Sequence, residues 1–270
     1  MSTLTTDFQR DVATKLSTYF AKKINDIQET NPRLYAEIAE EYTYILQSIS
    51  NGDNINVEGS NLQVNWLSCL SEPSTHYTRR DLTGREEDDD NVIYSPRVDL
   101  AITPTIMTKR GKQKSLAIHR YGQAPNRDLF HTINQCEFIQ EIENRLREIS
   151  SENYSGLEVR DSDPRPIHNT RPVHFFGIEI ENQTNPKHLM GDFLNVISLS
   201  RIPVVLFPED KFNGCIKMLS FSQAVEDIKG VTTFSTFRHA LILKVDQFRD
   251  TMNDFLSREG LELIGVYDYR

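Results

Sequence analysis

Apolar residues recur at helical spacing through the first fifty residues, and they predict two helices over 5–50. Asn31 and Pro32 separate the two stripes and have the form of a helix cap followed by a first-turn proline. The turn signal Asn-Gly-Asp at 51–53 ends the second helix. The apolar positions are Phe8, Val12, Leu16 and Tyr19 in the first helix and Leu34, Ile38, Tyr42, Ile45 and Ile49 in the second.

Beyond residue 53 the pattern alternates between strand-type and helix-type segments, which favours a mixed α/β class. We expect a single domain over 1–270, with N-terminal helices at 1–53 and a core formed by 92–106 plus 173–246. A helical insertion would occupy 107–172. The predicted strands are VDLAI, FFGIEI, IPVVLF, ALILKV, a weaker strand within 54–70 and an edge strand in LELIGVYDYR; the predicted helices are 126–150, 186–200, 247–256 and a weak one at 222–228.

Composition limits the classes of function that remain. The chain has 270 residues and 38% hydrophobic content, enough for a sizeable core, and its net charge of −9 argues against bulk electrostatic coating of nucleic acid. The three cysteines show neither disulfide nor zinc spacing. No apolar run approaches a membrane span and the start does not resemble a signal peptide, so we expect a soluble, cytoplasmic protein.

Two polar stretches interrupt the pattern. REEDDDN at 85–91 is a run of like charges that favours a solvated loop. KRGKQK at 109–114 is the most basic stretch and reads as a hairpin or loop tip. It could contact phosphates or serve only as a solubilising loop. Its candidate nucleic-acid-binding residues are Lys109, Arg110, Lys112 and Lys114.

Two glutamates carry the strongest chemical signal. Glu179 and Glu181 lie two residues apart in an apolar strand, so their side chains point to the same face. Burying such a pair costs several kcal/mol by the usual order of magnitude unless bases, water or a divalent cation compensate the charge. Asp99 begins a second apolar strand. If the two strands are neighbours, the three acids could hold one or two magnesium ions.

The pairing of SPRVDLAI with FFGIEIEN, followed by a helix and an apolar strand, resembles the PD-(D/E)XK, or restriction-endonuclease-like, nuclease superfamily. The resemblance implies a mixed central β-sheet flanked by helices. It also implies a metal site in which Asp99 and Glu179 match the acids of the two half-motifs. Glu181 takes the place usually held by lysine, as in the Glu-x-Glu variants of the family.

Two further residues enter through the same resemblance. Lys187, in the first turn of the next helix, is the candidate to replace the missing lysine. The family also places an acid on a helix before the sheet, for which we select Glu41, with Glu37 as the substitute. The separation of Asp99 from Glu179 requires the segment between them to be an insertion, which could carry specificity or dimer contacts.

The resemblance predicts a magnesium-dependent DNA endonuclease, with manganese able to substitute. Catalytic roles would fall to Asp99, Glu179, Glu181 and Lys187, and a homodimer would be needed for double-strand cleavage in restriction or defence. The alternative is an inactive binding or structural module on the same fold. A glycosidase ranks lower because adjacent carboxyls on one strand cannot flank a glycosidic bond. No phosphate-binding glycine motif is present, so no nucleotide cofactor is expected.

Overall fold

A computed structural model describes residues 3–49, 67–72, 77–78, 92–94, 97–107, 113–115, 126–155, 157, 169 and 172–264. The strands are β1 (Ser68–Ser71), β2 (Tyr77–Thr78), β3 (Val92–Tyr94), β4 (Leu100–Thr103), β5 (Thr105–Met107), β6 (Gln113–Ser115), β7 (His174–Ile180), β8 (Ser200–Phe207) and β9 (Leu241–Lys244). The helices are α1 (Thr3–Thr30), α2 (Pro32–Ile49), α3 (Asn126–Ile133), α4 (Glu137–Tyr154), α5 (Pro186–Leu199), α6 (Glu209–Lys229), α7 (Thr233–Phe237) and α8 (Val245–Leu256), with a 3-10 turn at Ser257–Glu259.

A five-stranded mixed sheet with the order β1-β4-β7-β8-β9 forms the centre of the fold. β1, β4 and β7 are antiparallel neighbours, whereas β7, β8 and β9 run parallel. The parallel strands are connected through α5 and through α6 and α7, as parallel pairing requires. The expected α/β class with a mixed sheet is therefore confirmed at that coarse level.

Helices cover both faces of this sheet. One hydrophobic cluster joins α1, α2, α3, α4 and α8 to one face, through strand residues such as Ile178 and Val204. The second cluster joins α5, α6 and α7 to the opposite face, through residues such as Val205 and Ile242. β7 and β8 are buried on both faces, which explains their continuous apolar character in the sequence.

The predicted helix at 126–150 is two helices. α3 ends at Ile133 and α4 begins at Glu137, with a turn at 134–136 between them. The drift in the apolar period reflects this break, because each helix restarts its own stripe. Both helices contribute to the first hydrophobic cluster, so the predicted insertion supplies part of the core.

The predicted weak helix at 222–228 is the end of a longer one, α6, which begins at Glu209. Its apolar residues are spread around the helix and produce little periodicity, but its ends follow capping rules. Glu209 and Asp210 occupy the first turn, and Gly230 ends the helix with a φ of 69°. α7 was not anticipated. No strand forms at 261–264, and the rest of the predicted terminal edge strand lies outside the described residues.

Both edges of the sheet are satisfied by helix side chains. On β1, the Cys69 N–H donates to Ser17 Oγ of α1 at 2.9 Å, and the same hydroxyl donates to the Cys69 carbonyl at 3.2 Å. On β9, the Ile242 N–H donates to Ser150 Oγ of α4 and the Ile242 carbonyl accepts from Asn153, both at 2.9 Å. The backbone groups of Cys69 and Ile242 are therefore not available to pair with a further strand.

Candidate carboxylate site

The register of β4 and β7 brings Asp99 beside the glutamates. Leu100 pairs with Ile178, so Asp99, one residue earlier, lies opposite the end of β7. Its Oδ2 accepts from the Ile180 N–H at 2.7 Å, and its carboxyl forms a side-chain hydrogen bond with Glu179. Two acids that are 80 residues apart in sequence (179 − 99 = 80) are therefore in direct contact.

Glu179 is only 8% exposed, although it is an acid in a strand that is buried throughout. Burial, above all, and the charges of Asp99 and Asp192 raise the pKa of Glu179 to about 10. At neutral pH the glutamate consequently retains its proton and donates it to Asp99 in the hydrogen bond between them. The pair behaves as two carboxylates that share one proton.

Glu181 forms a second pair, with Asp192 of α5. Burial and the hydrogen bond to Asp192 raise the pKa of Glu181 to about 8, and the Gln183 N–H donates to Glu181 Oε1 at 2.6 Å. Both glutamates lie on the face of β7 that α5 covers, because Glu179 is in register with Val205 of the second hydrophobic cluster. The charge of Asp192 acts on both glutamates, so the two pairs form one cluster of four acids.

Asp192 was missed in the sequence analysis. It lies on α5 three residues after Leu189 and four before Val196, which are both buried. Asp192 could have been identified from this spacing, because it is an acid on the apolar stripe of the helix that follows the glutamate strand.

Asp99 has two further neighbours. The side-chain amide of Gln9 on α1 donates to its carboxylate, and the nearby charge of Glu72 raises its pKa. The Glu72 N–H also donates to the Asp99 carbonyl at 2.8 Å. Burial is the main cause that raises the pKa of Asp99, whereas the hydrogen bonds from Ile180, Glu179 and Gln9 oppose that rise.

Lys187 lies at the beginning of α5, as expected. Asn185 caps this helix by accepting from the Lys187 N–H at 3.0 Å, and Pro186 is the first helical residue. The Lys187 side chain is exposed. Among the described residues, no ion pair joins it to a member of the acid cluster.

Glu41 does not join this cluster. Burial and the charges of Asp128 and Glu40 raise its pKa, and none of the clustered acids contributes to that shift. Its substitute, Glu37, pairs with Arg33 on the surface of α2. The helix residue that reaches Asp99 is Gln9 of α1, which is neutral.

The side chains of the four basic candidates lie outside the described residues. Lys109, Arg110 and Lys112 lie outside the described residues, as does the acidic run at 85–91. Lys114 lies on β6, which pairs with β5 as a hairpin, and its side chain is likewise outside the described part.

The donor types of the cluster suit a hard cation, because carboxylate oxygens are the ligands that Mg²⁺ prefers. Within the described part of the chain, no three His, Cys, Asp or Glu side chains are arranged to hold a metal ion. The acids form pairs instead. Since Mg²⁺ is commonly held by one or two carboxylates with water and substrate phosphates, a single pair is a sufficient protein contribution.

None of the helices in the described residues has the length and hydrophobicity of a membrane span. Comparisons of the chain with models of protein families, with curated proteins and with solved structures gave no match.

Proposed function

We propose that the protein is a magnesium-dependent endonuclease that hydrolyses phosphodiester bonds in DNA. The observation that supports this function best is the hydrogen bond between the carboxyl groups of Asp99, directly before β4, and Glu179, in the buried strand β7, which needs a proton on one of the two. Such an arrangement costs folding free energy, and a divalent cation that replaced the proton would offset that cost.

The surrounding architecture also supports the proposal. β4, which begins directly after Asp99, and β7, which carries Glu179, are adjacent and antiparallel, and a helix and a buried parallel strand follow β7. A mixed central sheet flanked by helices, with an Asp and a Glu-x-Glu pair on neighbouring strands, is what the resemblance to the restriction-endonuclease-like nucleases implies.

Each residue of the site would have its own role in the reaction. Asp99 and Glu179 would hold the cation, and Glu181, at the end of β7, would hold it or orient the attacking water. Asp192 would orient Glu181 through the hydrogen bond between their carboxyl groups. Lys187, exposed at the start of α5, could approach a phosphate from the solvent side. When bound, Mg²⁺ supplies positive charge that stabilises the developing phosphate charge and acidifies water.

A plasmid assay tests this function. We expect supercoiled DNA to be nicked or linearised in Mg²⁺ or Mn²⁺, and we expect Glu179→Ala to abolish cutting while the circular dichroism spectrum stays unchanged. Glu262→Ala, at an exposed glutamate that does not contribute to the pKa shifts of the clustered acids, is the matched control and should cut at the wild-type rate. Continued cutting by Glu179→Ala would exclude the assigned role.

The alternative function is a catalytically inactive binding or structural module of the same fold, which in its binding form would hold DNA without cutting it. The observation that favours it is the pairwise hydrogen bonding of the acids, together with the lack of an ion pair between Lys187 and the described acids. DNA binding in a mobility-shift assay without cleavage in either metal would support this alternative.

A further inference from the structure

Gln9 is an unusual residue on the inner side of α1. It is 3% exposed and lies between Phe8 and Val12 of the core, where a polar side chain is unfavourable unless it is hydrogen-bonded. Its amide donates to the Asp99 carboxylate. This hydrogen bond offsets the cost of burying the amide. Its acceptor, Asp99, is one of the two acids on which the proposed function depends.

Three donors hold the Asp99 carboxylate. They are the Ile180 N–H at 2.7 Å, the Gln9 amide and the carboxyl of Glu179. A cation bound between Asp99 and Glu179 would take the place of the contact between the two carboxyl groups. The contacts from Ile180 and Gln9 would remain and would keep the carboxylate oriented.

We propose that Gln9 is a positioning residue that orients Asp99 for cation binding through its side-chain amide. This inference rests on the proposed function. A neutral amide suits the task better than an ionised acid, since an ionised glutamate at this position would repel Asp99 and the nearby Glu72 and would have no hydrogen to donate. Hydrogen-bond partners of this type orient ligands, and their loss typically weakens metal binding by about 10- to 100-fold.

Metal-free crystal structures of the wild type and Gln9→Met test the orientation. Methionine has a similar length but no donor, so we expect the Asp99 carboxylate to rotate or to split between two orientations. Ser17→Ala is the matched control, because Ser17 is also on α1 but bonds to Cys69 of β1. An unchanged Asp99 carboxylate in Gln9→Met would overturn the inference.

Titration calorimetry with Mn²⁺ tests whether the loss of the Gln9 amide weakens cation binding. We expect Gln9→Met to bind Mn²⁺ at least about tenfold more weakly than the wild type, with Ser17→Ala within about twofold. Equal binding by Gln9→Met would overturn the inference even if the carboxylate moved. If the wild type bound no Mn²⁺, the proposed function would fail, and the crystallographic comparison would still decide whether Gln9 orients Asp99.

Discussion

Glu179 and Asp99 share a proton on the covered face of the sheet, and this contact links stability to pH. The pKa of Glu179 is about 10 in the folded chain, whereas its ordinary value is 4.5. Between these values the folded state binds a proton that the unfolded state has released. The free energy of unfolding should therefore fall as the pH rises, by up to about 1.4 kcal/mol per pH unit for this group.

Glu179→Gln removes this dependence. Glutamine can donate the same hydrogen bond without a charge, so we expect the variant to be more stable than the metal-free wild type, and by more at pH 8 than at pH 5. Urea unfolding followed by circular dichroism measures the difference. Glu262→Gln is the exposed control. A gain of the same size at both pH values would contradict the proton-sharing account.

At the scale of elements, α1 and α4 have equivalent roles at opposite edges of the sheet. Ser17 of α1 bonds to both backbone groups of Cys69, and Ser150 and Asn153 of α4 do the same for Ile242. An open strand edge is a template for pairing with another chain. These polar side chains therefore contribute to stability and also oppose association.

Loss of these contacts should be measurable. We expect Ser150→Ala combined with Asn153→Ala to lower the free energy of unfolding by about 1–3 kcal/mol for each polar group left unpaired. The variant should also scatter more light on heating than the wild type. Thr14→Ala is the control, because the Thr14 residue is exposed and its hydroxyl donates to the Arg10 carbonyl of the same helix. Unchanged scattering by the double variant would contradict a role in edge protection.

For the whole molecule, His174 and the acid cluster make the free energy of unfolding depend on pH in opposite directions. His174 is fully buried at the start of β7, and neither of its ring nitrogens has a hydrogen-bond partner among the described residues. Burial lowers its pKa from 6.5 to about 3. The folded state therefore binds fewer protons than the unfolded state between these values, and stability falls as the pH decreases from 6.5.

His174→Leu should remove this loss of stability at acidic pH. Leucine fills a similar volume without burying a polar ring, so we expect the variant to be more stable than the wild type, and by more at pH 5 than at pH 7. Thermal unfolding at the two pH values measures the difference. His188→Leu, at an exposed histidine, should show no such trend. An equal effect of His174→Leu at both pH values would mean that its protonation does not limit stability.

Local signals in the sequence were sufficient to predict much of the fold. The helix starts at Pro32 and Pro186 follow from Asn-Pro caps, and the buried strands β7 and β8 follow from continuous apolar runs. These signals depend on a few neighbouring residues, so they can be recognised without tertiary information. α6 was underestimated because exposed apolar residues such as Phe221 and Ile228 lie outside its buried stripe, which removes the period on which such a prediction depends.

The sequence by itself determined that Glu179 and Glu181 share one face of an apolar strand, because side chains alternate along any strand. Only the tertiary structure decided which groups meet them. Strand register brought Asp99 to Glu179, and the packing of α5 brought Asp192 to Glu181. α1 supplied Gln9 where an acid from α2 had been expected. Such contacts depend on how elements pack across long sequence separations, and no local pattern encodes that packing.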